Sequence, residues 1–315
     1  MVMGQVHKLI TQHGCDLART HIHPEDRYLI DVAAEVMTAT PEDFGWAYTG
    51  WAFAALPHKQ ITDVNGRKAS WQRDIGPVTL TVNPGKLPGQ TQRELIEVGV
   101  PFGAHARLVM LYLQTQALKT SRREIEVGKS LNAFLGRVGV SGGGKTRQSV
   151  WDQLLRIAAC EIIFTWQQQP QSPPEFIRTN VVQAGQLGIR MTEEDRQGTL
   201  WSDKVTLSHE FFESLQRSAV PLLEQAIKAI GASSLALDLY VWLAYRLRKL
   251  ERPTTVSWLA LHQQFGAEYR RPRDFRRKVQ QPLKLALAAY PEAQVTIEEH
   301  GVILYPSQPP ICLKC

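Results

Sequence analysis

Apolar residues recur three and four apart over much of the chain, and where they do they predict helices. Within the polar residues 1–45, Tyr28, Leu29, Val32, Ala33 and Val36 share one side of a helical wheel, so an amphipathic helix is expected near Pro24 to Met37. From Trp46 to Pro101 the period shortens. VTLTV at 78–82 alternates apolar residues with threonine between Gly76-Pro77 and Asn83-Pro84-Gly85, which reads as a strand bounded by turns. Helical spacing returns at Ala104 to Lys119, Gly128 to Val138 and Thr146 to Cys160. The β-branched and aromatic EIIFTW (161–166), a Gln/Pro-rich loop, and the strand-like FIRTNVV (176–182) and LGIRM (187–191) follow.

The order then repeats. After KVTLSHEFFESL (204–215) come a helix led by Pro221 and ending at Gly231, a strongly apolar helix from Ser234 to Leu250, and a helix in VSWLALHQQFG with Thr255 as its N-cap. Another helix starts at Pro272, a residue suited to the first turn, and ends before Pro291 with a kink expected at Pro282. Strands in AQVTIEE and GVILYP close the segment, joined by His300 and Gly301. Three helices followed by a hairpin is the order of a winged helix, a relative of the helix-turn-helix. The expected fold is α+β and mostly helical, with two tandem winged-helix domains at 46–205 and 206–308, a helical N-terminal arm at 1–45 and a tail at 309–315.

Composition narrows the class. A chain of 315 residues, 43% hydrophobic and 21% charged, is long enough for two globular cores. The longest uncharged apolar-rich stretch, Phe44 to Pro57, is too short to span a bilayer, and the charged, histidine-bearing N-terminus does not read as a signal peptide. Four cysteines make no disulfide framework, so a reducing cytoplasm is expected, with no membrane partner.

Charge changes the picture more. From Arg246 to Lys284 there are eleven Lys and Arg against three acidic residues, a net of +8; the whole chain carries +6, so the remainder sums to −2. A basic cluster confined to one region is the footprint of a polyanion-binding face.

GVSGGGKT (139–146) satisfies the spacing of a phosphate-binding loop. Such a loop hangs from a buried strand, and its Mg²⁺ needs an acidic residue at the end of another. Here Leu131, Phe134, Leu135 and Val138 precede the glycines at helical spacing, and LALD (235–238) lies inside a helical stretch. The glycines read better as a tight turn that brings Lys145 and Arg147 to a helix N-terminus, where a DNA phosphate is favoured.

Two helix faces carry the residue types that read DNA. Lys145, Arg147, Gln148, Ser149, Asp152 and Arg156 mark the first, with glutamine suited to adenine and arginine to guanine, and with Asp152 able to accept from cytosine or to orient Arg156. The second is denser. Phe275, Val279, Leu283, Ala286 and Tyr290 form a buried stripe, while Arg273, Arg277, Gln280 and Lys284 line the opposite face, flanked by Arg270, Arg271, Arg276 and Lys278. Other clusters fit no chemistry. His13, Cys15, His21 and His23 match no zinc spacing, Cys312 and Cys315 are half of a zinc ribbon, and no histidine pairs with a nucleophile in a readable pattern. No catalytic residue, cofactor or metal is expected.

The run PFGAHARLVMLYLQTQALKTSRREIEVGKSLNAFLGRVGVSGGGK, with QLLRIAACEIIF, SSLALDLYVWLAYRL, SWLALHQQFG and YPSQPP, resembles plasmid-encoded RepA replication initiators. With the upstream ALPHK and VTLTVNPG, the likeness covers most of residues 50–310. It implies a protein that binds direct repeats (iterons) in double-stranded plasmid origin DNA, helps melt an adjacent A·T-rich segment, and engages the host initiator DnaA and the replicative helicase. Related initiators bind iterons as monomers and form homodimers that repress their own gene or pair origins. A repressor of the same fold without initiator activity and a nucleotide hydrolase using Gly139 to Thr146 are the competing readings.

Overall fold

The computed structural model describes residues 4–40, 44–75, 78–89, 91, 93–137, 139–140, 143–167, 171–186 and 204–311. The expected LGIRM strand, Gly142 and the Cys312/Cys315 tail lie outside them. The chain forms two compact units, Met1–Ala55 with Ala219–Cys315, and Leu56–Ser218. The linear division expected from the sequence is thereby corrected: the N-terminal segment belongs to the C-terminal unit, and the boundary expected at 205/206 falls at 218/219.

The first unit opens with α1 (Gln5–Thr20), a helix the hydrophobic pattern does not announce because it is broken at Gly14, where φ is 72°. A 3-10 turn at Pro24–Asp26 leads into α2 (Tyr28–Met37), which buries Leu29, Ile30, Ala33 and Val36. Strand β1 (Phe44–Tyr48) and the short α3 (Gly50–Phe53) follow.

The second unit is built around α4 (Gly103–Thr120), buried from Ala106 to Thr115 and so covered on every side. Before it come β2 (Trp71–Ile75), β3 (Val78–Asn83), β4 (Gly85–Pro88) and β5 (Leu95–Val98). After it come β6 (Glu124–Glu126), α5 (Gly128–Arg137), α6 (Gly144–Ala159), β7 (Glu161–Trp166), β8 (Glu175–Asn180), β9 (Val182–Gln186), β10 (Lys204–Leu207) and α7 (His209–Arg217). α5, α6, α7 and β6 pack on α4. Antiparallel sheets run β2-β3-β7-β8 and β6-β10-β9, and β4 pairs with β5.

The chain then returns to the first unit through β11 (Ala219–Leu223), which pairs with β1 so that Pro221 faces Trp46. Pro221 therefore sits in a strand, not at the start of a helix; a two-stranded ribbon tolerates its missing N–H. α8 (Glu224–Ile230) and α9 (Ser234–Leu247) follow, α9 being buried continuously from Leu235 to Ala244. β12 (Thr254–Ser257) takes up the β-branched Thr254-Thr255-Val256. Thr255 is thus not a cap: Ser257 Oγ accepts from the Ala260 N–H at 3.2 Å and starts α10 (Trp258–Phe265). α11 (Pro272–Ala288) begins at Pro272 as expected and continues through Pro282. β13 (Val295–Ile297) and β14 (Gly301–Leu304) complete the sheet β12-β14-β13.

One connectivity occurs in both units. A buried helix, a strand, two helices and two strands succeed one another as α4-β6-α5-α6-β9-β10 and as α9-β12-α10-α11-β13-β14. In each, the first strand pairs with the last, and the last with the middle one, all antiparallel. Among the described residues, the β7 and β8 hairpin distinguishes the earlier copy, in which residues 187–203, outside the described segments, also separate β9 from β10. Among the described residues, no helix is long and apolar enough to cross a membrane.

Tyr240 ties α9 to its surroundings. Its hydroxyl accepts from the Leu223 N–H at 3.1 Å and its ring meets Tyr290 edge-on at 5.9 Å, while burial raises its pKa and keeps it neutral. Tyr240→Phe removes that acceptor from a buried donor, which should cost about 1–3 kcal/mol. Urea unfolding should show a lower midpoint at unchanged slope; an unchanged midpoint would mean that Leu223 N–H has another acceptor.

Candidate nucleic-acid interface

α11 is seated by its apolar stripe, with Phe275, Val279, Leu283 and Ala286 all buried. The turn from α10 is held closed by His262, whose Nε2–H donates to the Tyr269 carbonyl at 2.8 Å. Gly266 is required there by close approach: a Cβ would lie 2.8 Å from the His262 carbonyl oxygen and 3.0 Å from the Phe275 ring.

Outward from that seat, Arg270, Arg271, Arg273, Arg277 and Lys278 are exposed. None of the five forms a salt bridge with another described residue. Arg273 and Arg277 stand about one turn apart, roughly 6 Å along the axis, and both project from the exposed side of the helix. Arg276 is half-buried, its guanidinium 5.7 Å from the Trp258 ring centroid, and Gln280 is half-buried at the edge of the face. Lys284 does not share the open face. Its Nζ lies 2.7 Å from Asp26 in a pair whose side chains are 26% and 14% exposed, so its charge is already neutralised.

The neighbouring hairpin is pinned by Trp258, whose Nε1–H donates to the carbonyls of Glu298 and Glu299 at 3.2 and 3.0 Å. The exposed tip carries two carboxylates, Glu298 and Glu299. It repels phosphate, which leaves the first half of α11 as the anion-attracting part of this region.

α6 is different from its wheel. Lys145, Arg147 and Gln148 are exposed at its start, but further along the polar stripe Ser149 and Asp152 are only half-exposed and Arg156 is buried. Ser149 Oγ bonds His105 Nδ1 at 2.8 Å. Arg156 is 6% exposed, donates to Asp152 at 2.7 Å and to the Val100 carbonyl at 3.3 Å, and lies 5.1 Å over the Phe102 ring. Gln153 accepts from the Phe102 N–H at 2.8 Å and donates to Asp152 at 3.0 Å. Arg156, expected to face DNA, is instead buried at the entry to α4, while Ser149 and Asp152 are half-exposed and bond His105 and Arg156. A wheel drawn from the sequence shows polarity and cannot show that a second element covers the stripe.

The GVSGGGKT turn also resolves. Gly139, with φ 75°, is the left-handed residue that ends α5: its N–H bonds the Gly136 carbonyl at 3.2 Å, and the Val140 N–H bonds the Leu135 carbonyl at 2.8 Å. This pair of bonds is a Schellman motif. The first glycine of the pattern is therefore a helix C-cap, where a phosphate-binding loop would follow a strand. Asp238 of LALD lies within α9, 7% exposed.

Residues 100–259 match the family described as plasmid encoded RepA protein. The chain belongs to this family. The match places it among plasmid replication initiators and runs from just before α4 to the start of α10, so α11 lies beyond it. No curated protein matches the chain. Among solved structures, selenomethionine derivatives of domains 2 and 3 of RctB align over 84% of this chain and 99% of theirs, with a TM-score of 0.50 and 13% identity. A second crystal structure of RctB domains 2 and 3 aligns over 82% and 94%, with a TM-score of 0.45 and 12% identity. The first likeness shows a shared fold.

The two cation sets of α6 should separate by experiment. Arg156→Met should destabilise the protein by about 1–3 kcal/mol through its lost buried hydrogen bonds, while Lys145→Ala should leave the urea midpoint unchanged within about 0.5 kcal/mol. Equal midpoints for both variants would contradict the internal role of Arg156.

Proposed function

We propose that the protein starts plasmid replication by binding direct repeats in its own origin, with each unit acting as a winged-helix module. The shared connectivity of the two units supports this reading, because helix–strand–helix–helix–hairpin with the first strand beside the last is winged-helix topology. In each module the third helix is the reader. α11 is the dominant one: Arg273 and Arg277 contact base edges, and Arg270, Arg271 and Lys278 contact phosphates. α6 contributes less, through Lys145, Arg147 and Gln148 at its first turn, where the helix N-terminus favours a phosphate.

The single observation that carries the proposal is the set of exposed cations at the start of α11 that form no salt bridge with another described residue, in a chain of the RepA family. Cations left unneutralised release counterions from DNA when they meet phosphate, which gives affinity and salt dependence. Two modules in one chain raise the effective concentration of the second once the first is bound.

The work of initiation is then differential binding, with no bond chemistry by this chain. Binding offsets the deformation of an adjacent A·T-rich segment. The protein binds repeats as a monomer, hands the opened segment to the host initiator DnaA and the replicative helicase, and forms homodimers for repression or origin pairing.

A mobility-shift titration on a repeat duplex and a scrambled duplex, at two salt concentrations and without nucleotide, tests this. Repeat-specific binding that weakens with salt is expected. Arg277→Ala should lower repeat affinity by about 1–3 kcal/mol and relax preference at one base position. Equal binding to both duplexes, or binding only with ATP, would overturn the proposal.

A further inference from the structure

The N-terminal segment takes no part in the reading above, yet it holds the far end of α11. Asp26, in the 3-10 turn, accepts two hydrogen bonds from Lys284 Nζ, at 2.7 and 3.0 Å. One turn further on, the Ala288 carbonyl accepts from His7 Nε2–H at 3.0 Å. Burial lowers the His7 pKa, so the ring is neutral. Ala288 and Leu285 also pack into the apolar cluster formed by Val6, Leu29 and Ile30.

All of these contacts fall after Pro282. Proline has no N–H to donate to the carbonyl four residues back, here that of Lys278, and its ring crowds that turn. α11 is therefore weakest at the join between its exposed cationic half and its held half. What fixes the second half sets the direction of the first.

We infer that residues 4–37 form a buttress for the DNA-reading helix, and that Asp26 and Lys284 are positioning residues for base recognition. The inference rests on α11 being the reader. Hydrogen bonds to base edges fail beyond small angular errors, whereas long side chains follow a phosphate through larger ones. Loosening the buttress thus removes specificity before it removes general affinity.

The test uses the full chain and three proteins: wild type, Asp26→Asn, and the charge-reversed pair Asp26→Lys with Lys284→Asp. Each is titrated against repeat and scrambled duplexes, and its urea midpoint is measured. Asp26→Asn should weaken repeat binding about five- to twentyfold, with scrambled binding within about twofold of wild type. The reversed pair should restore repeat binding to within about threefold of wild type. Asp26→Asn binding repeats as wild type does overturns this inference alone. Parallel loss on both duplexes, with a lowered midpoint that the reversed pair does not restore, makes the contact merely structural and also overturns it. A wild type that does not distinguish the duplexes overturns the DNA reading, and this inference with it.

Discussion

A helix that is apolar on every side must be covered on every side, and this requirement organises the molecule. α9 presents LALDLYVWLAYRL with no polar face wide enough for solvent. Its cover comes from α3, from β11 and from α11. α3 is encoded almost two hundred residues before the helix it covers, so the beginning and end of the chain fold as one unit and residues 56–218 form the other. α4 imposes the same demand on the second unit, met by α5, α6 and α7.

The same covering decides which polar residues remain available. A helix packed against a central buried helix keeps one outer stripe, and that stripe is free only where nothing else lies on it. On α6 the entry to α4 takes Arg156 and half-covers Ser149 and Asp152, leaving the start of the helix exposed. On α11 the N-terminal segment takes the stripe from Lys284 onward, leaving the first half. Both units thus offer the N-terminal portion of their third helix, and the larger set of exposed cations lies at the start of α11. The carboxylates of Glu298 and Glu299 confine that positive region on its hairpin side.

Periodicity was a good guide to elements whose partners are close in sequence. The helices at 103–120, 128–137, 144–159 and 272–288 lie where apolar spacing places them, and the turn chemistry at Pro272 marks a true helix start. It failed where a remote partner decides. Pro221 looks like a helix opener until β1 is brought alongside it, and Thr255 looks like a cap until β14 pairs with its strand. Nothing within reach of Lys284 in sequence announces Asp26, 258 residues earlier. The break at Gly14 hid α1 by dividing its apolar residues between two short wheels. The family resemblance was legible in the central motifs, and the division into units was not, because linear order hides an insertion.

The most direct measurement is site-specific photo-cross-linking on a duplex carrying one repeat, with a photoreactive side chain in place of Arg277 in one preparation, of Lys284 in a second and of Glu299 in a third. Adducts to a repeat base from position 277, and none from 284 or 299, are expected if the first half of α11 reads the DNA. Adducts from 284 or 299 without any from 277 would contradict that central claim.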